Sequence, residues 1–244
     1  MKNKFKLFFK KFFQHRADNI FKIFFALILI LIVYIIFGIQ LNNIYQKSAI
    51  VGSNKWQDLI YYFTNQSNIL VLITMTLFFT SFRKNPKFSG LAFITLTSIL
   101  FTFIVNHAIV DREEIQNFSF FSSTKHYRHT IIPILYTIFY FFKNISPIAI
   151  KKVYISLIHP SAYFYFFLIR GLFDKETKYP YPFIDPTQKG IFNITSEGGQ
   201  GYFLVLLMSF ILTILFYFYN YGLAFIKNRY FSYYSQDCFI KNNK

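Results

Sequence analysis

A chain of 244 residues that is 54% hydrophobic and 23% aromatic but only 15% charged is not built like a soluble domain, in which about a quarter of the residues are charged. The net charge of +16 would suit a nucleic-acid binder, but the basic residues sit in short clusters beside long apolar runs on one predicted side of a membrane. Nucleic acid is therefore excluded as a partner, and anionic lipid headgroups are expected instead. One cysteine, Cys238, excludes an intramolecular disulfide and a cysteine-based metal site, and it is read as a plain cytoplasmic thiol.

In chain order, residues 1–17 are basic, and Phe5, Phe8, Phe9, Phe12 and Phe13 form an apolar stripe at helical spacing among Lys2, Lys6, Lys10 and Lys11. The pattern predicts an N-terminal amphipathic helix lying in the headgroup plane, within a segment 1–19. The apolar run behind it is long and lacks a small-x-small cleavage site, unlike a cleaved signal peptide. Apolar runs at about 20–40, 59–82, 89–110, 129–143, 150–172 and 201–225 match the roughly 20 residues needed to cross a bilayer. The fourth is short, which requires an earlier start or a locally thinned bilayer. The expected fold is all-α: a polytopic bundle of about six transmembrane helices over 20–225, then a basic cytoplasmic tail over 226–244.

Orientation follows from charge. The basic N-terminus, the Arg83-Lys84-Lys87 loop, the Lys143/Lys151/Lys152 loop and the Lys227/Arg229 tail fall on one side. The other side carries Asp58, Asp111, Glu113, Glu114, Asp174, Glu176, Asp185 and Glu197. Excess Lys and Arg marks the cytoplasmic side, so a multi-pass cell-membrane protein with both termini cytoplasmic is expected. Asn117 and Asn193 head glycosylation sequons on the outer side.

Polar groups are costly in hydrocarbon, and here they gather at the outer ends of the spans. The second span opens with Tyr61-Tyr62-Phe63-Thr64-Asn65-Gln66-Ser67-Asn68, in which Thr64, Ser67 and Asn68 share one helix face. The third ends at Asn106-His107, and the fourth begins with His126-Tyr127-Arg128-His129-Thr130, followed by Pro133. The last outer loop, 173–200, contains Tyr179-Pro180-Tyr181-Pro182-Phe183-Ile184-Asp185-Pro186 and Glu197-Gly198-Gly199. Its length, prolines and aromatics suit a folded lid. Hydroxyl, amide, imidazole and carboxylate groups thus converge at one depth. They form either a pocket or, alternatively, packing glue between helices. His159, before Pro160 in the fifth span, reads as a helix-bridging group or a proton relay. His126 and His129 are three apart, but paired metal-ligand spacing is lacking, and no metal or other cofactor is expected.

The Tyr-Phe-Thr-Asn-Gln-Ser-Asn run (62–68), the His129-Thr130-x-x-Pro133 segment and Tyr-Pro-Tyr-Pro-Phe-Ile-Asp-Pro (179–186) resemble the androgen-induced membrane protein family, which includes the androgen-dependent regulator of tissue factor pathway inhibitor. The likeness spans about 20–225 and is stronger to the family's bacterial six-span branch. Animal members are threonine hydrolases that cleave fatty acid esters of hydroxy fatty acids within the membrane. The resemblance implies Thr64 as nucleophile and His129 as base, acting on a lipid ester that enters from the bilayer. Asn65, Ser67, Asn68 or His107 would then serve the oxyanion or pocket, and Tyr181 and Asp185 the lid or the orientation of the imidazole. Three other readings stay open: Thr64 as a hydroxyl capping the second span, the whole chain as a small-solute-binding or transport subunit without catalysis, and a structural or assembly protein with no ligand.

Overall fold

The computed structural model describes residues 61–110, 126–142, 145–174, 177–188 and 199–231, together with Phe24, Ile28, Leu31 and Ile35. The chain divides into two compact units, Met1–Ser53 and Asn54–Lys244. In the first unit the four described residues are helical. The amphipathic segment 1–19, most of the first predicted span, the loop 41–58, both sequons and Cys238 lie outside the described residues. All that follows concerns the second unit.

Among the described residues all regular structure is helical. The α-helices are α1 (Phe63–Phe78), α2 (Pro86–Val105), α3 (Ile132–Phe142), α4 (Ile158–Phe173) and α5 (Gly201–Ile226). Wide π turns follow α2 (Asn106–Val110), precede α3 (Tyr127–Ile131) and follow α5 (Lys227–Phe231), while 3-10 segments occupy Ser81–Lys84, Ile150–Leu157 and Pro182–Ile184. Two helical stretches, Pro86–Ala108 and Gly201–Phe231, are long and apolar enough to cross a membrane, which points to membrane association. At 1.5 Å per residue the shorter spans roughly 35 Å, against about 30 Å of bilayer hydrocarbon.

Local chemistry sets the boundaries. Thr80 caps the 3-10 turn after α1 by accepting from Phe82 N (3.2 Å). Asn85 caps α2 by accepting from Lys87 N (2.9 Å), with Pro86 in the first helical position, where its missing N–H costs nothing. Pro160 is the third residue of α4, again among the helix's first N–H groups, which have no intrahelical partner. It therefore marks where the 3-10 segment becomes α-helix rather than breaking a helix that has already formed.

α1, α2 and α3 pack around Val71, Met75, Phe93, Leu96, Tyr136 and Phe139, all essentially buried. Within this core Thr74 and Thr95 share a hydroxyl hydrogen bond (2.7 Å), and the Tyr136 hydroxyl donates to Ala92 O (3.1 Å). The lower end of α5 is fastened by Asn220 Nδ2 to Ser156 Oγ (2.8 Å) and Asn228 Nδ2 to Ile148 O (2.9 Å). It is also fastened by Lys227 Nζ to the Tyr140 and Phe141 carbonyls (2.7 and 3.0 Å) at the C-terminal end of α3. Lys227 is fully buried. The opposite surface of α5 presents Phe203 at 77% and Phe218 at 66% exposure, an apolar face that water would not favour and lipid would.

Candidate functional site

Thr64 is the second residue of α1 and is buried. It does not cap the helix: the N-cap is Tyr62, with no side-chain capping bond. That disposes of the capping reading of the Thr64 hydroxyl. His129 stands on the π turn before α3. The turn is docked on α1 by Arg128 Nη1 donating to Asn65 Oδ1 (3.2 Å) and by Asn68 Nδ2 reaching Arg128 O (3.4 Å). Asn68 also donates to Thr64 O (2.8 Å), so a single amide ties the first turn of α1 to the Arg128 turn. Wide π turns are recurrent at functional sites, and here they carry Asn106, His107, Arg128 and His129.

Thr64 and His129 line one cavity of about 820 Å³. Its polar lining includes Asn65, Asn106, Arg128, Tyr181 and Gln200, which lie near the ends of helices and in the adjoining loop. Its apolar wall includes Phe101, Val105, Phe164, Leu204, Met208 and Phe216. The volume falls within the roughly 300–1,000 Å³ usual for small-molecule sites.

The other predicted residues divide. Asn65 faces the cavity, whereas Ser67, Asn68, His107 and Asp185 are not among its lining residues. Ser67 donates to Phe63 O (2.9 Å) and accepts from Thr102 Oγ1 (3.2 Å), joining α1 to α2. His107 Nε2 meets Thr130 Oγ1 (2.9 Å) and its ring lies against Phe103. It thereby joins the two π turns next to His129. Asp185 accepts from Thr187 N (2.9 Å) and Thr187 Oγ1 (2.6 Å), forming a turn inside the lid.

Tyr181 reaches furthest from the lid. Its hydroxyl approaches the Thr64 side chain and the Phe63 and Thr64 backbone at the start of α1, and burial pushes its pKa up. The phenol therefore stays neutral and can donate. Its ring stacks on Phe183 with centroids 5.2 Å apart. Around it the Tyr61 hydroxyl donates to Lys178 O (2.6 Å) and the Tyr163 hydroxyl donates to Tyr61 O (2.8 Å).

Gln200, a cavity residue that sequence reasoning passed over, is the lid's fastener. Its Nε2 donates to the carbonyls of Asp185 (2.8 Å), Pro182 and Phe183 (both 3.3 Å). The glycine beside it, Gly199, has φ +89°, and a Cβ there would sit 2.5 Å from Thr187 O. Only glycine suits both the backbone and the space. The Gly198-Gly199-Gln200-Gly201 run was the signal available in the sequence.

His159 belongs to a separate cluster. Its Nδ1 meets Ser98 Oγ (2.8 Å), its Nε2 meets Gln66 Oε1 (3.0 Å), and its ring stacks on Phe63. The histidine thus bridges α1, α2 and α4 through side chains rather than through backbone freed by Pro160. No group of three or more His, Cys, Asp or Glu able to hold a metal occurs among the described residues. The chain matches no family profile, no curated protein and no solved structure.

Proposed function

We propose that this chain is a six-span cell-membrane protein with both termini cytoplasmic, and that it hydrolyses lipid esters within the membrane. Thr64 serves as nucleophile and His129 as base. The observation that carries the reading is that Thr64 and His129, 65 positions apart in the sequence, line the same largely apolar cavity. The resemblance of residues 62–68, 129–133 and 179–186 to the androgen-induced family supports the same pair. The exposed aromatic face of α5 and the alternation of charge between loops support the topology.

The chemistry is acyl transfer. His129 takes the Thr64 Oγ1 proton as that oxygen attacks the ester carbonyl, and it then protonates the departing alkoxide. Water, deprotonated by the same imidazole, releases the acid from Thr64. Tyr181 and Asn65, which line the cavity beside Thr64, serve as the oxyanion donors in this reading, at the α1 N-terminus, where the helix dipole favours negative charge. Asn68, already donating to Thr64 O, takes the supporting role of fixing the nucleophile's turn.

A binding subunit without turnover is the second reading. It is favoured by one observation, that Tyr181 of the lid lines the same cavity as Thr64 and its hydroxyl approaches the Thr64 side chain. A fluorophosphonate probe on purified protein separates the two. Hydrolysis predicts labelling of the parent that Thr64→Ala and His129→Ala each abolish. A folded parent that takes no label, and turns over no long-chain ester, leaves the binding reading.

A further inference from the structure

Arg128 has no place in the proposed chemistry, and among the described residues no carboxylate pairs with it. Its guanidinium carries five N–H donors. Among the described residues the guanidinium makes one hydrogen bond, from Nη1 to Asn65 Oδ1 (3.2 Å), and Nε is buried without a partner. The ion pair present among the described residues is Arg170 with Asp174, elsewhere in the unit. A partly buried cation that borders a largely apolar cavity and has donors to spare is costly unless an anion completes it. The cavity also has a direction. Along α5 its lining runs from Leu204 to Phe216, about 18 Å at 1.5 Å per residue. That is close to the ~15 Å depth of hydrocarbon in one leaflet.

We infer that the cavity binds a single-chain amphiphile with an anionic head, the head on Arg128 and Asn65 and the chain along the α5 wall. Arg128 is then a specificity-determining residue: a planar fork that grips a carboxylate through two N–H groups, beside the nucleophile rather than part of it. The inference names the ligand class of the cavity proposed above for ester hydrolysis, but it requires only binding. It holds or fails independently of turnover.

The test is equilibrium binding of labelled palmitate to the full-length protein in nanodiscs of zwitterionic phospholipid, with hexadecanol, acetate and inorganic phosphate as competitors. Palmitate is expected to bind at least about tenfold more tightly than hexadecanol, the size of effect given by a hydrogen bond to a charged group. Arg128→Gln is expected to remove that preference, and Arg128→Lys to restore part of it. Thr64→Ala is expected to keep the preference for palmitate over hexadecanol while any ester turnover is lost, which separates the ligand class from the hydrolase reading. A Leu212→Trp substitution, which fills the tail wall, is expected to shift the preference towards shorter chains. Equal affinity for palmitate and hexadecanol in the parent overturns the inference even where Arg128→Gln does not fold. So does acetate or phosphate displacing palmitate at matched concentration, which would mark a site for small anions.

Discussion

The two histidines near the middle of the unit are used in opposite ways. His159 is closed on both sides: Nε2 meets Gln66 Oε1 and Nδ1 meets Ser98 Oγ. Phe63 covers the ring. His129 stands on a π turn at the edge of a cavity it shares with Thr64, among groups with bonding capacity left over, including Arg128 Nε and Asn68 Oδ1. Polar groups inside an apolar protein are satisfied or they are waiting for something. His159 meets the first condition as a rivet between helices, while the second describes Arg128 Nε and Asn68 Oδ1 around the cavity that His129 lines. Sequence position alone does not tell them apart, since each histidine stands near a proline and a hydroxyl.

Substitution should separate them by readout. For His129→Ala the expected loss is in rate, about 10²–10⁴-fold in ester turnover, the usual contribution of a positioned base, with little change in thermal stability. For His159→Leu the loss is in stability. Ser98 and Gln66 are left facing apolar surroundings, at roughly 1–3 kcal/mol for each group without a partner. Thermal unfolding in detergent measures the second and single-turnover ester cleavage the first. A His159→Leu protein that is as stable as the parent but inactive would transfer the catalytic role to His159 and break the contrast.

Much of the helical pattern was legible because apolar runs bounded by charge are a strong signal. α2 and α5 begin at Pro86 and Gly201, close to the expected 89 and 201. Before α3, helical structure reaches back through the Tyr127–Ile131 turn, ahead of the expected start at 129. Legibility fell off where tertiary partners decide. Thr64, Ser67 and Asn68 share a helix face in the sequence, yet Thr64 alone of the three borders the cavity, because Ser67 turns to Thr102 and Asn68 to Arg128. Arg128 has no assigned role in the sequence reading, since its use depends on Asn65 across the helix pair. Gln200 was invisible for a similar reason: its three acceptors are lid carbonyls 15 to 18 positions away.

The lid sharpens the comparison further, since it brings Tyr181 to Thr64. Gly199→Ala forces a side chain into a left-handed backbone and onto Thr187 O, with an expected cost of about 1–2 kcal/mol from the backbone alone. The Gln200 fastening would loosen with it. The expected result is earlier proteolysis within 177–200 and weaker ligand retention, with global unfolding much less affected. If unfolding of the whole protein fell in step with lid proteolysis, the lid would be part of the core rather than a cover for the site.

An effect of similar size is expected at the other end of the bundle, where the contrast between satisfied and waiting groups can be checked on a second cation. Lys227 is a cation with no exposure, yet it is not a site by the criterion that singles out Arg128. Its Nζ donates to two carbonyls at the end of α3 and stands 5.2 Å from the centre of the Tyr140 ring. Helix carbonyl ends attract cations, and the aromatic face adds to that attraction. Lys227→Met keeps most of the apolar stem and removes the charge. The expected cost is about 1–2 kcal/mol of stability, the upper range for a helix-end charge in a partly buried setting, with palmitate binding unchanged. Arg128→Met should do the reverse, costing little or no stability while removing the preference for an anionic head. If Lys227→Met weakened palmitate binding as much as Arg128→Met did, burial and bonding would not be what distinguishes a structural cation from a functional one in this protein.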